Sequence, residues 1–242
     1  MIAFFKDKKN LVILLLGALF IIKIPGEGLR FAFWVLAGIF LCCALDFLIN
    51  RFFLKKRVFP NSAIISGFIL SGILDYRQPW FILVGFCLLA ILSKHIIKFN
   101  HRHIFNPANF SLFFATLFRI PLTWNIESHI FLIVVFGVYL AYSYKKISHI
   151  LGFLVFFIGL FAVFKTNAAG LISWFFVFIM LPEPKTSGYG VFRGFIFGSI
   201  AGTTCFLMLR FMFGLDPFVS SLFIANLSRS RIPLTKLWGG VN

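Results

Sequence analysis

The stretch HRHIFNPANFSLFFATLF, residues 101–118, joins a basic turn to an apolar run of about 12 residues that Asn106-Pro107 opens. A lipid-exposed helix needs about 20 apolar residues to cross a bilayer. A shorter run with Pro at its first turn predicts a half-helix that is shielded by protein and breaks at membrane depth. Such breaks usually line a site in membrane proteins.

A second stretch repeats this pattern late in the chain. DPFVSSLF begins at Asp216-Pro217, which is 110 residues after Asn106-Pro107 (216 minus 106), and Pro, Ser, Leu and Phe coincide at that offset. Asn and Asp before Pro are typical helix N-caps, and polar groups at broken-helix starts can also face a substrate or an ion. Both interpretations stay open for Asn106 and Asp216.

The composition excludes a water-soluble globule. The chain has 242 residues, 60% hydrophobic and 12% charged, with a mean hydropathy of +0.98, whereas soluble domains have about 45–50% apolar and about 25% charged residues. The formal charge of +16 comes from Lys and Arg clusters between apolar runs, which is the positive-inside pattern. We therefore expect a polytopic membrane protein in contact with the lipid bilayer and no nucleic-acid partner.

Apolar runs bounded by charge or Pro predict an all-α protein of ten membrane segments, at about 11–23, 31–49, 61–74, 79–97, 107–118, 128–144, 148–164, 169–182, 190–210 and 217–228. With the N-terminus inside, 17 of the 23 Lys and Arg residues fall on the inner side. This bias predicts a multi-pass protein of the inner (cytoplasmic) membrane with both termini cytoplasmic. The first run has no A-x-A-like site after it, so we interpret it as an uncleaved span rather than a signal peptide.

The ten segments divide into five plus five within one membrane domain, residues 1–242. The third and fifth segments of each half are short, and the halves are about 11–118 and 128–228. Because five is odd, the second half starts outside where the first starts inside. This arrangement predicts an inverted repeat with a site near the membrane midplane, between the broken helices.

Five short motifs occur in order along the chain: Asn61-Ser62-Ala63 with Ser66-Gly67, Pro79-Trp80, Phe105-Asn106-Pro107-Ala108, Leu181 to Ser187, and Ala225-Asn226. In these residues, over about 58–230, the chain resembles the NqrB/RnfD family. That family comprises integral membrane components of sodium-pumping NADH:quinone oxidoreductases and of Rnf-type electron transport complexes.

The resemblance implies a ten-span component with a urea-channel-like inverted repeat, which takes part in flavin-linked electron transport coupled to ion translocation beside other membrane subunits. Members of the family attach FMN covalently to a Thr in a Ser-x-Ala-Thr context. No stretch of this sequence has that pattern, and Thr123 is the only Thr between Arg119 and Ser128. Covalent FMN is therefore not expected, and a flavin would have to bind non-covalently.

The alternative is a stand-alone channel or transporter for a small solute, without redox chemistry. The chain would at most be a non-catalytic component of an oxidoreductase.

Candidates for a substrate or ion pathway come partly from their chemistry and partly from the resemblance. They are Asn61, Ser62, Asn106, Asn109, Glu183, Thr186, Asp216 and Asn226. Glu183 could serve cation passage or could be a surface acid paired with Lys185. Asp46, within the second segment, could snorkel to pair with Arg51 or could belong to an ion relay.

The ninth segment carries a glycine at every fourth residue, Gly194, Gly198 and Gly202. Such a face lets another backbone approach closely, so we expect it to pack at the interface between the halves, or alternatively to form a pore wall.

No metal site is expected. Cys42, Cys43, Cys87 and Cys205 lie in apolar runs without metal-ligand spacing. His95, His101 and His103 lie among Lys and Arg, so we interpret this region as a basic loop that touches anionic lipid.

Overall fold

Ten helical segments run through the part of the chain that the computed structural model describes. That part comprises residues 8–53, 55, 59–99, 102–184, 186–187, 190–212 and 214–231. The prediction of an all-α protein is confirmed for these residues, since two two-residue strands are the only other regular structure in them.

The first five segments coincide with the predicted ones. They are α1 (Lys8–Glu27), α2 (Leu29–Leu48, followed by a π-helical turn at Ile49–Phe53), α3 (Asn61–Ile73), α4 (Trp80–Ile96) and α5 (Pro107–Leu117). Between α4 and α5, strand β1 (Lys98–Phe99) pairs antiparallel with β2 (Arg102–His103). Gly28 separates α1 from α2 with φ 83°, a left-handed conformation that glycine adopts without steric cost.

The second five segments begin with α6 (Ile130–Ser143) and α7 (Ile147–Val163) and end with α8 (Val191–Phe211) and α9 (Pro217–Arg231). Between α7 and α8, the predicted segment at 169–182 is broken. A 3₁₀ turn at Ala169–Leu171 is followed by a helix at 174–180, which we call the short segment and which includes the π-helical turn Phe176–Met180.

Three helices end at a basic residue in the left-handed conformation. Arg119, Lys145 and Lys165 have φ values of 56°, 57° and 53°. In each case the next backbone N–H bonds a carbonyl five residues earlier, as from Lys146 to Ala141 over 2.7 Å. This is the Schellman ending, which satisfies the last carbonyls of a helix. Helices α5, α6 and α7 therefore stop sharply.

Helix contacts divide the chain into two groups, α1 to α5 and α6 to α9. Within the first group α3 packs on α1, α2 and α5, and α4 packs on α2 and α5; within the second, α8 packs on α7 and α9, and the short segment packs on α6 and α7. The groups meet where α1 packs on α6 and α5 packs on α9.

Helices α7 and α8 touch along the glycine face. A Cβ added at Gly198 would lie 2.0 Å from the His149 carbonyl oxygen, and one added at Gly202 would lie 2.6 Å from that of Phe153. A Cβ at Gly194 would lie 2.4 Å from the His149 ring. The three glycines thus admit a neighbouring backbone, but α7 belongs to the same half of the chain as α8. They do not lie at the interface between the halves.

Among the residues that the structure describes, three helices are long and apolar enough to cross a membrane: Lys8–Glu27, Leu29–Phe53 and Val191–Phe211. Shorter apolar helices of 10–17 residues accompany them. A membrane location is therefore plausible.

Candidate functional site

A cavity of about 300 Å³ lies at the end of the molecule where α1, α3 and α5 begin. Helices α4 and α6 and the short segment end there. Ser62, Asn106 and Glu183 line the cavity, and so do Lys9 and Lys94. Three stretches that are far apart in the sequence therefore meet at one site.

Asn106 is the N-cap of α5, as its position before Pro107 predicts. Its Oδ1 accepts from the Asn109 backbone N–H over 3.2 Å, and Pro107 occupies the first helical position. The side chain is 95% buried, since its exposure is 5%. An acceptor is needed at the cap, so the other end of the amide is the NH₂ group. That group has no acceptor in the described part of the chain and keeps accessible surface at the cavity.

Ser62 and Asn61 open α3 beside a buried ion-pair network. Lys94 Nζ donates to Ser62 Oγ over 2.8 Å and to Asp46 Oδ1 over 2.7 Å. His95 Nε2 lies 2.8 Å from the same Asp46 oxygen. Asn61 Nδ2 donates to Asn10 Oδ1 over 3.5 Å.

Asp46 does not pair with Arg51. Its side chain is 3% exposed and forms its ion pair with Lys94 on α4, whereas Arg51 is exposed. Asp46 lies within α2 and turns toward α4, which supplies a cation that the local sequence does not reveal.

Glu183 follows the short segment and is half-buried. Its Oε2 accepts from Thr186 Oγ1 over 2.7 Å, which brings these two candidates together. Lys185, the proposed partner of Glu183, lies outside the described residues. Ser187 Oγ donates to the Glu183 carbonyl over 2.6 Å.

Two buried basic residues, one in α7 and one in the turn before it, contact Ser187 in the loop that follows Glu183. The sequence interpretation missed both. Lys146 Nζ donates to Ser187 Oγ over 3.1 Å, and His149 Nε2 lies 2.8 Å from the Ser187 carbonyl. Neither side chain is exposed to solvent. The KK pair at 145–146 has the composition of a surface turn, so the sequence contains no signal that would have found Lys146.

Asp216 caps α9 in the way that Asn106 caps α5. Its Oδ1 accepts from the Val219 N–H over 2.9 Å, and its Oδ2 accepts from Trp124 Nε1 over 2.8 Å. Asp216 is not among the residues that line the cavity.

The first turns of α5 and α9 contact each other. Asn109 Nδ2 donates to the Val219 carbonyl over 3.1 Å, and these residues are 110 positions apart. The rings of Phe113 and Phe223, also 110 apart, stack with their centroids 3.9 Å apart. The repeated motifs therefore pack with equivalent positions together.

Several buried polar atoms on α5 and α9 have no hydrogen-bond partner within the described residues. They are Asn109 Oδ1, Ser220 Oγ and both amide atoms of Asn226. Asn226 is 1% exposed. Because a buried unpaired polar group costs about 1–3 kcal/mol, such groups usually mark a bound water or ion, or a functional constraint.

Glu127 caps the short segment from the loop before α6. Its Oε1 accepts from the backbone N–H groups of Trp174 (2.7 Å) and Phe175 (3.3 Å), and its Oε2 accepts from Ser173 Oγ (2.7 Å). The sequence interpretation did not include Glu127. A Ser just before an apolar run indicates the helix start at Ser173, but nothing local indicates the distant carboxylate.

No group of three or more His, Cys, Asp or Glu side chains that could hold a metal ion occurs among the described residues. His95 contacts Asp46, His103 lines the cavity, and His101 lies outside the described residues.

No protein-family model and no curated protein sequence matches this chain. The resemblance to the NqrB/RnfD family stays a prediction from the quoted residues.

Proposed function

We propose that this chain is a multi-pass protein of the cytoplasmic membrane that moves a small solute through the region between α5 and α9. Its exposed surface supports the membrane environment. Phe33, Phe40 and Phe47 recur at seven-residue spacing on α2 with exposures of 63%, 71% and 54%. Large exposed apolar faces of this kind are rare on soluble monomers and suit contact with lipid.

Equivalent helix contacts support a five-plus-five inverted repeat. The pairs α1–α3, α2–α4 and α4–α5 in the first half have counterparts in α6 with the short segment, α7–α8 and α8–α9. The helix contacts between the two halves, α1–α6 and α5–α9, join equivalent segments. This pattern is expected if a pseudo-two-fold axis relates the halves.

The charge bias supports an orientation in which the cavity faces the cytoplasm. Lys9, Lys94 and Lys146 lie at the cavity end of the helices. The positive-inside rule favours that end on the cytoplasmic side, with both termini there.

The observation that carries the proposal is a set of polar side-chain atoms that lack hydrogen-bond partners among the described residues. They lie on two half-helices that pack together, α5 and α9, and α5 also lines the cavity. Asn106 lines the cavity, Asn109 follows one turn later on α5, and Asn226 is buried on α9. Polar groups without partners are costly in a membrane interior. A route for water and small solutes accounts for them.

Stopped-flow light scattering of proteoliposomes tests this proposal with inward gradients of small neutral and charged solutes. We expect at least one solute to enter faster than into protein-free liposomes. Ile65→Trp, which places a large ring in the cavity lining, should slow this entry. The neighbouring Ile64→Trp is the control, because Ile64 is also half-buried on α3 but does not line the cavity. Entry at the protein-free rate for every solute would refute the proposal.

A second candidate function is an NqrB/RnfD-type component of a flavin-linked, ion-motive complex. The observation that favours it is that Ser62, Asn106-Pro107 and Pro182-Glu183, from three of the motifs that carry the resemblance, converge at the cavity. Small-molecule sites have volumes of about 300–1,000 Å³. At about 300 Å³ the cavity is at the lower end of this range. Redox proteins that co-purify with the chain would support this function, and their absence would count against it.

A further inference from the structure

We infer that the cavity binds a small monocarboxylate with a short hydrocarbon chain, an inference that rests on the proposed transport function. The observation behind it is a buried amide whose NH₂ group lacks an acceptor among the described residues. Asn106 is 5% exposed, and its cap bond to the Asn109 N–H fixes which end of the amide is the donor. A ligand oxygen at this position would satisfy that donor.

Two helix N-termini add to this preference. Ser62 lies in the first turn of α3 and Asn106 is the cap of α5, and both line the cavity. The positive end of the helix dipole favours negative charge at such ends. In membrane proteins, half-helix N-termini are used in this way toward anionic groups of substrates.

The charged side chains in and beside the lining nearly cancel one another. A preference for anions therefore has to come from Asn106 and the helix ends. Lys9, Lys94 and Glu183 contribute two cations and one carboxylate. Asp46 does not line the cavity, but its ion pair with Lys94 balances one of the cations. One oxygen of Glu183 accepts from Thr186. A singly charged ligand suits this lining better than a dianion.

Most of the remaining wall is apolar, and Ser66, His103 and Tyr144 supply its other polar atoms. Val12, Ile65, Ile69, Leu140 and Phe178 come from four different segments and offer only hydrocarbon or aromatic surface. A volume of about 300 Å³ accommodates a few carbon atoms beyond the charged group. The lining therefore favours an amphipathic ligand over a bare inorganic ion.

The Asn106 NH₂ donor can be removed while the N-cap of α5 is kept. Asp216 occupies the equivalent position before Pro217 and caps Val219 through Oδ1. Asp and Ser are both good N-caps, so Asn106→Asp and Asn106→Ser should fold. The first replaces the NH₂ group with a charged oxygen, and the second removes it without adding charge.

Isothermal titration calorimetry on the detergent-solubilised full chain at pH 7 tests the inference with three probes of similar shape: butyrate, butyramide and butylammonium. We expect butyrate to bind at least tenfold more tightly than the other two. A hydrogen bond to a charged group is worth about 1.5–3 kcal/mol, which corresponds to a loss of roughly 10- to 100-fold. Asn106→Ser should show this loss for butyrate, and Asn106→Asp should show a larger one.

Asn167→Asp is the matched control, because it makes the same chemical change in an exposed loop after α7, at the other end of the molecule. Its butyrate affinity should equal that of the unaltered protein. Equal binding of butyrate and butyramide, tighter binding of butylammonium, or unchanged butyrate affinity in Asn106→Asp would overturn the inference. Solute entry into proteoliposomes that persists in those cases would leave the transport proposal standing. Butyrate binding without any solute entry would instead refute transport alone.

Discussion

Asp46 carries a buried carboxylate in the last turn of the apolar helix α2. It is held by Lys94 and His95 from α4, at 2.7 and 2.8 Å. Such a network is expensive to break, because removing one partner leaves the other charge buried without compensation. The residue is therefore a sensitive point for stability.

We predict that Asp46→Leu lowers the free energy of unfolding by about 3–5 kcal/mol, because Lys94 is left as an unpaired buried cation. Denaturant unfolding in detergent micelles measures the change. The double variant Asp46→Leu with Lys94→Met should recover most of the loss, since neither charge then remains.

Arg51→Gln is the control for this prediction. Arg51 is exposed and does not contact Asp46 through any ion pair in the described structure. Its substitution should change the unfolding free energy by less than about 0.5 kcal/mol, as for most surface positions. An equal loss from Asp46→Leu and Arg51→Gln would contradict the assignment of the partner.

The short segment is an element that cannot form from its own sequence. It spans only residues 174–180, and helices below about 12 residues are marginal in isolation. Its first N–H groups are satisfied by Glu127, which lies 47 positions away from Trp174. The loop before α6 and the short segment therefore form together.

We predict that Glu127→Ala destabilises the protein by about 1.5–3 kcal/mol, because two backbone N–H groups lose a charged acceptor. Thermal unfolding followed by circular dichroism measures the effect. Glu27→Ala is the comparison, because Glu27 pairs with Lys23 one turn away on α1. Such i,i+4 pairs contribute about 0.3–0.5 kcal/mol, so a larger effect at Glu27 would contradict the prediction.

The contact between α7 and α8 gives another prediction at this scale. Gly198→Ala should destabilise the protein by about 1–3 kcal/mol, because its Cβ would lie 2.0 Å from the His149 carbonyl and the helices would have to separate. Gly159→Ala, on the exposed face of α7 with no atom near its Cβ, should instead be neutral or stabilise by up to about 1 kcal/mol. Denaturant unfolding of both variants in the same detergent measures the two changes in unfolding free energy. Equal changes would contradict the prediction that the close approach of α7 and α8 makes Gly198 sensitive to substitution.

Local signals predicted the elements, and distant contacts had to come from the structure. The caps at Asn106 and Asp216 were predictable because each bond reaches only three residues along the chain. The Asp46–Lys94 pair spans 48 positions, so the nearer Arg51 was the wrong choice. The break in the predicted segment 169–182 depends on Glu127, which no local pattern connects to it.

At the scale of the whole molecule, the number of helices that precede a loop determines at which end of the molecule that loop lies. Each helix reverses the chain, so Lys145 after α6 lies at the cavity end, and Lys165 after α7 lies at the other. The charge bias favours the cavity end in the cytoplasm.

We predict that an impermeant maleimide labels Lys165→Cys on intact cells, whereas Lys145→Cys is labelled only after the membrane is permeabilised. Both positions are exposed. The background protein carries Ala at Cys42, Cys43, Cys87 and Cys205. Labelling of Lys145→Cys from outside intact cells would refute the proposed orientation.

The glycine contact between α7 and α8 also decides which parts of the molecule can move. Two backbones in direct contact have no intervening side chains that could change rotamer as the helices slide past each other, so α7 and α8 resist shear. Any alternation of the access route between the two sides must therefore carry this pair as one rigid body. The movable boundaries are the contacts α1–α6 and α5–α9, where side chains such as Phe113 and Phe223 separate the backbones. The ring stack between those phenylalanines would then be the place where the two halves come apart.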